Sequence, residues 1–307
     1  MYTQHQSLRG LLCVFAGAAC TAYGAPDSEL LALTQSPYVS LTDFSDRLVH
    51  LESALKDRND PRAIFAAMYV VLTENGAAAI ERGEFEDGEW VAAFVVAFGN
   101  LYRQAFYEYE SRNFDAVPPP WVIAFDAAAA DEVTVFQHAF LGIHAHINRD
   151  VPYAIAEVTP PCDRARRFRD FARTNEFVVA SIDVVEDAVV EYDADLGNLD
   201  ARLNRADEKL LKQVLSFWRF RAWHRAGTVA ALHEGAALDL YGALSNELTR
   251  RQAIWARDSE AMFALGDAGS VATLHRPPKL RQRLTRGHAQ PVLVKMRDGR
   301  VFEIDLD

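Results

Sequence analysis

Apolar residues along this chain recur mainly at steps of three and four, the repeat of one face of an α-helix. From Asp87 to Glu110, Trp90, Phe94, Phe98, Tyr102, Phe106 and Tyr109 keep that spacing; from Val133 to Asn148, Val133, Phe136, Phe140, Ile143 and Ile147 do the same. Start and stop signals divide the rest. Ser40 to Asp43 opens a helix that runs through Leu55 and ends at Asn59-Asp60-Pro61. Pro61 then leads a helix over Arg62–Asn75, which Gly76 closes. Pro118-Pro119-Pro120 is the clearest breaker. Asp150-Val151-Pro152 ends the helix that starts near Val133, and Thr159-Pro160-Pro161 precedes a helix capped by Asp163 and running to about Tyr192. Helices over about Asp200–Ala226 and Gly227–Leu265 complete the body. The tail differs: Pro291–Asp307 alternates apolar and polar about Asp298-Gly299, a strong hairpin signal. The pattern predicts a mainly α fold, with a single multi-helix bundle domain over 25–275. A basic linker over 276–290 and a short C-terminal β-hairpin over 291–307 follow it.

Composition narrows the class. The chain has 307 residues, 50% of them hydrophobic, and a net charge of −11. That is enough for a sizeable core, and the acidic balance argues against nucleic acid and against anionic membrane surfaces as partners. At the N-terminus Arg9 is the one formal charge before Asp27, and Leu11–Ala22 is apolar and small. Such a stretch is the length of a signal-peptide core and too short to span a bilayer. Ala22-Tyr23-Gly24 places cleavage after Gly24, so residues 1–24 read as a signal and the protein as exported, periplasmic or secreted, with no transmembrane segment. A lipoprotein with Cys20 modified is the minor alternative; Gly17 stands where a bulky aliphatic residue is usual. The mature chain keeps only Cys162, so no intramolecular disulfide is expected.

The chemistry concentrates in one segment. Residues 133–148 contain no Asp, Glu, Lys or Arg in a chain that is 24% charged, and they carry His138, His144 and His146 of the nine histidines. A helix without charge on any face is usually buried, and buried imidazoles need hydrogen-bond partners or a metal. His146 and Asp150 lie one turn apart on an ideal helix. That spacing suits two ligands of one metal, and equally a carboxylate that orients an imidazole. His144 lies across the apolar stripe, about 160° from His146 at 100° per residue, and His138 points nearly opposite the stripe.

These residues also carry a resemblance. Gly142-Ile143-His144-Ala145-His146-Ile147-Asn148-Arg149-Asp150 resembles the G-x-x-A-H-I-N-x-D-L signature of the mainly bacterial domain of unknown function 5995. Upstream, Asp87, Trp90, Phe98, Tyr102 and Ala105 are similar to that family's aromatic helix, and Pro118–Trp121 to its P-x-x-W step. Downstream, Asp170-Phe171 and Asn175 are similar to its D-F-x-x-x-N step, and Arg221-Ala222-Trp223 to its late A-W helix. The similarity covers about Pro61 to Leu232. It departs at His144, where the family often has Asn, and at Val151, where Leu is usual. It implies an all-helical fold and no firm activity.

Together these readings place a site between the histidine helix and the helix of Asp170 and Asn175. His146, Asp150 and Asp170 are its expected catalytic residues. Asn148, Asn175, His144 and Arg221 are its expected substrate contacts. His146, Asp150, Asp170 and His138 are the expected ligands of zinc or another divalent metal, since helical bundles gather His and carboxylate ligands from several helices. The expected function is a metal-dependent, hydrolase-like enzyme acting on a small molecule; the alternative is a non-catalytic helical protein that holds a small ligand. A purely structural network, with His146 paired to Asp150 or Asp170 and no metal, is the remaining reading.

Overall fold

The computed structural model describes residues 25–131, 133–180, 192, 205–232 and 235–259, with the strand backbone at 292–295 and 301–304 in the tail. The signal segment 1–24, the linker 276–290 and most of the hairpin lie outside them. Among the described residues from 25 to 259 the regular structure is all helical. Helices α1 (Ser28–Thr34), α2 (Leu41–Asp57), α3 (Arg62–Glu81) and α4 (Gly88–Glu110) come first; α5 (Pro119–Ala130), α6 (Val135–Ala145) and α7 (Val151–Val158) follow; α8 (Arg164–Ala180), α9 (Arg205–Leu232) and α10 (Ala236–Asp258) complete the bundle.

Local signals set these bounds. Ser40 Oγ accepts from the Asp43 amide at the start of α2, and Asp87 Oδ1 from the Trp90 amide at the start of α4. Thr134 and Gln137 close a reciprocal capping box on α6. The proline run that reads as a breaker also starts α5, because Pro119 and Pro120 occupy first-turn positions whose N–H groups would have no helical partner.

Three expected breaks are absent. Gly76 lies inside α3, which continues to Glu81 and ends where Gly83 turns left-handed at φ 71°. Gly227 lies inside α9; a Cβ there would come within 3.2 Å of the Arg164 guanidinium, which donates to the Trp223 carbonyl. The chain turns instead at Gly235, with φ 95°. The third is Pro152, which bends the register of the histidine helix without ending it. Proline has no N–H, and its ring crowds the carbonyl four residues back, that of Asn148. Residues His146–Asp150 therefore form a π-helical turn, in which the Val151 amide reaches the His146 carbonyl. The Asn148 carbonyl accepts from Arg225 Nη1 at 2.5 Å, replacing the missing helical donor. Helix α6, the π turn and α7 thus run on without an intervening loop.

The core lies around α4. Trp90, Phe94, Phe98, Tyr102, Phe106 and Tyr109 are all buried, as the spacing predicts. α4 packs against α7, α1, α2 and α3; α9 covers α7; and α10 lies on α5 and α6. By length and composition α3 could cross a membrane, but half of its apolar window is buried inside the bundle. Gly142 on α6 permits a close approach to α3: a Cβ there would sit 2.4 Å from Phe65 Cδ2.

Candidate functional site

The π turn holds His146 and Asp150 at the centre of the bundle, 3% and 0% exposed. His146 Nδ1 lies 2.9 Å from Asp150 Oδ2. The same oxygen accepts from Trp121 Nε1 at 2.8 Å, and Oδ1 accepts from Arg149 Nη1 at 2.9 Å. A carboxylate oxygen only accepts, so Nδ1 carries the His146 proton and Nε2 presents its lone pair. No protein group bonds that Nε2 among the described residues, although it is buried.

Aromatic rings surround the imidazole. Phe98 stacks on it with centroids 3.4 Å apart and planes 8° apart, and Tyr69 meets it edge-on at 4.7 Å. Phe65, Trp121 and Tyr102 stand at 5.6, 5.8 and 6.1 Å. The hydroxyls of Tyr69 and Tyr102 are buried and unbonded too, as is Thr73 Oγ1 one turn beyond Tyr69 on α3. Burial in this apolar shell disfavours the imidazolium and holds His146 below the ordinary histidine range, against the pull of Asp150. It likewise raises the Tyr69 phenol well above its usual range.

His144 belongs to a separate network. Its Nε2–H donates to the Thr249 carbonyl at 3.0 Å, and its Nδ1 accepts from Asn148 Nδ2 at 3.0 Å. Both nitrogens are satisfied in the neutral tautomer opposite to that of His146. Desolvation lowers its pKa to about 4. His144 and Asn148 therefore brace the turn against α10; their expected role as substrate contacts has no support in this geometry.

The remaining candidates have partners of their own. Asp170 accepts from the Glu86 and Asp87 amides at 2.8 and 3.0 Å, tying α8 to the start of α4. His138 borders a cavity of about 20 Å³ with Arg62, Phe65, Tyr102 and Trp121, space for a single water. Its Nε2 is 3.8 Å from Asp131, too far for a hydrogen bond. Arg221 lies over the Phe217 ring at 5.6 Å. Asn175 accepts from Arg219 Nε. The expected metal set is thus dispersed: among the described residues no three His, Cys, Asp or Glu side chains are gathered where an ion could sit. The shell about His146 Nε2 is aromatic, and its Nδ1 is already bonded to Asp150. A carboxylate on Nδ1 with Nε2 bare is an arrangement that metal-ligating histidines also use, and the aromatic shell adds no further ligands to make a set of three among the described residues.

Of the rings about the imidazole, Phe65 and Tyr69 are not singled out by the sequence, while Phe98, Tyr102 and Trp121 are marked there only by spacing and resemblance. Arg219, 4% exposed and bonded to Thr174 and Asn175, is a buried cation that the sequence also does not single out. The available signal was polar atoms on apolar stripes, such as the Tyr102 hydroxyl, which sits on the buried face of α4.

Residues 41–261 match the family of unknown function DUF5995. No curated protein and no solved structure matches the chain. The matched stretch runs from the start of α2 past the end of α10 and contains His146, Asp150, Trp121 and all the rings about the imidazole; the chain belongs to the family of unknown function DUF5995.

Proposed function

We propose that this is an exported helical protein that carries out a hydrolase-like reaction on a small molecule, with His146 Nε2 as general base. The observation that carries the reading is the unbonded, buried Nε2 on an imidazole whose other nitrogen is fixed by Asp150. A base works when its lone pair faces the proton to be taken and its orientation is set beforehand. Asp150, itself held by Trp121 and Arg149, sets that orientation and favours the imidazolium that forms on proton transfer. The water-poor aromatic shell strengthens such electrostatic effects. Its enclosure limits the substrate to a small molecule, and the helices must part to admit it. The π turn at the site supports the reading, since such turns recur at functional positions.

Turnover of p-nitrophenyl acetate tests it. The wild-type protein should hydrolyse the ester above buffer, and His146→Gln should lose about 100-fold or more of that rate. Equal rates in the two proteins would refute the assignment.

The near-complete burial of His146 favours a second reading, a non-catalytic holder of a small ligand. It expects no turnover but a rise in thermal midpoint with p-nitroacetanilide that His146→Gln abolishes.

Two features of the chain's ends complete the proposal. Export rests on the apolar Leu11–Ala22 stretch and the small residues at Ala22 and Gly24. A C-terminal hairpin about Asp298-Gly299 rests on the alternation of apolar and polar residues in the tail. Mass spectrometry of protein from the native cell envelope should find Ala25, or a residue close to it, as the first residue; an intact Met1 would overturn processing.

A further inference from the structure

Helix α10 is turned inside out by size. The residues it presents to the bundle are small: Ser245, Thr249, Ala253 and Ala256 are buried, and the two alanines are its share of the apolar core among the described residues. Polar bonds hold it there, from Gln137 to the Ala256 and Arg257 carbonyls and from His144 to the Thr249 carbonyl. Its large apolar residues lie on the other side. Leu240, Leu244, Leu248 and Trp255 are 62, 64, 49 and 43% exposed. On an ideal helix these four fall within about 80° of arc, opposite the buried small residues, and run over about 22 Å of its length. A single exposed leucine needs no explanation, but four large apolar side chains in line form a patch of the kind that marks a protein contact.

The charges on this face select the partner. Between Leu240 and Trp255 the stripe carries Arg251 within it and Glu247 at its edge, paired at 2.8 Å; Glu247 also pairs with Arg250 off the stripe. The stripe thus holds one acid and one base and no net charge. A face of that kind does not repel its own copy, and a two-fold axis brings its acid to the other's base twice. The apolar residues are self-complementary as well. In an antiparallel pair centred near Leu248, Leu240 of each copy meets Trp255 of the other, because the two stand at nearly equal distances on either side of the centre. Nucleic acid and anionic bilayers fit poorly: the face is apolar and the chain carries a net charge of −11.

We propose that α10 docks on α10 of a second copy of this chain, in an antiparallel two-fold interface made by Leu240, Leu244, Leu248 and Trp255. The pairing covers from outside the helix whose Thr249 carbonyl braces His144 from inside. It does not depend on the His146 reading, and its test reads association and not turnover.

Sedimentation velocity of the full chain over a dilution series tests it. At roughly 100 µM the wild-type protein should show twice the mass of one chain, and it should return to one on dilution, because a single helix face is small for an interface. Leu244→Glu sets a carboxylate in the apolar seam and should raise the dissociation constant about 10-fold or more. Its position is exposed in the single chain, so the variant should keep the wild-type circular dichroism spectrum. Arg251→Glu leaves each face acidic and should also weaken the pair. Glu247→Arg combined with Arg251→Glu should restore it, as a face that meets its own copy requires. A single-chain mass at every concentration up to roughly 100 µM would overturn the proposal, and it is the result expected if residues 260–307 or a different protein cover the stripe. A pair undiminished by Leu244→Glu would put the interface elsewhere and overturn it too. If Leu244→Glu does not fold, the weakening by Arg251→Glu and its rescue by the double reversal decide in its place, and absence of either overturns the pairing.

Discussion

At the scale of single residues, two histidines two positions apart have opposite tautomers because their partners differ. His144 meets a carbonyl through Nε2 and an amide N–H through Nδ1, so it is satisfied and structural. His146 meets a carboxylate through Nδ1 and nothing through Nε2. His144→Gln should therefore lower stability by about 1–3 kcal/mol, as loss of buried hydrogen bonds does, while leaving turnover or ligand binding in place. His146→Gln should do the reverse in the activity assay. The pair of measurements, denaturant midpoint and ester turnover, separates them; a dead His144→Gln with a wild-type midpoint would reverse the assignment. The same burial sets a pH dependence. His144 has a folded pKa of about 4 against an ordinary 6.5, so the unfolded chain takes up a proton where the folded chain does not. Stability from this group is complete above about pH 6.5 and falls as pH drops toward 4, by about 3 kcal/mol at most. His146 is shifted in the same direction. Urea unfolding between pH 7 and 4 should show this loss, and His144→Gln should reduce it. A flat profile in wild-type protein would contradict both assignments.

At the scale of elements, the π turn and the contact of α6 with α3 place the site. Gly142→Ala would drive a methyl group into Phe65, whose ring stands 5.6 Å from that of His146. Overpacking of this kind costs about 1–3 kcal/mol. We expect a lower thermal midpoint together with reduced turnover, measured on the same preparation; wild-type values of both would show that the two helices can part at no expense. The i, i+4 relation of His146 and Asp150 was legible in the sequence because it is a local property of one helix. The π turn was not, although Pro152 and the Asn148 carbonyl four residues back held its cause. A proline after a helix reads first as a terminator, and only the Arg225 donor from α9 lets the helix continue through it. Trp121 was legible as part of a P-x-x-W step but not as the donor to Asp150, because spacing within α5 says nothing about which helix faces it.

At the scale of the whole molecule, the bundle joins distant segments through a few buried polar bonds. Asp170 is the plainest case: it holds the first amides before α4 from a position more than eighty residues later. The sequence places it in a motif with Phe171 and Asn175 but cannot say that the motif binds a neighbouring helix and not a substrate. Asp170→Asn should lower stability by about 1–2 kcal/mol, in the range of a lost helix cap, with turnover per folded molecule unchanged. Loss of turnover without loss of stability would return Asp170 to the site. The mainly α class was legible throughout, because periodicity repeats in every helix. The bond from Arg225 of α9 to the Asn148 carbonyl was not, because it depends on how α9 covers the π turn and α7.

The central claim is that His146 is neutral, with its proton on Nδ1 and a bare Nε2. Nitrogen-15 NMR of histidine-labelled protein tests it most directly, with the His146 signals identified by their loss in His146→Gln. The account predicts at pH 7 a protonated Nδ1 and a Nε2 at the shift of an unprotonated imidazole nitrogen, unchanged as the pH is lowered through 6.5. A proton on Nε2, or a charged ring at pH 7, would contradict it.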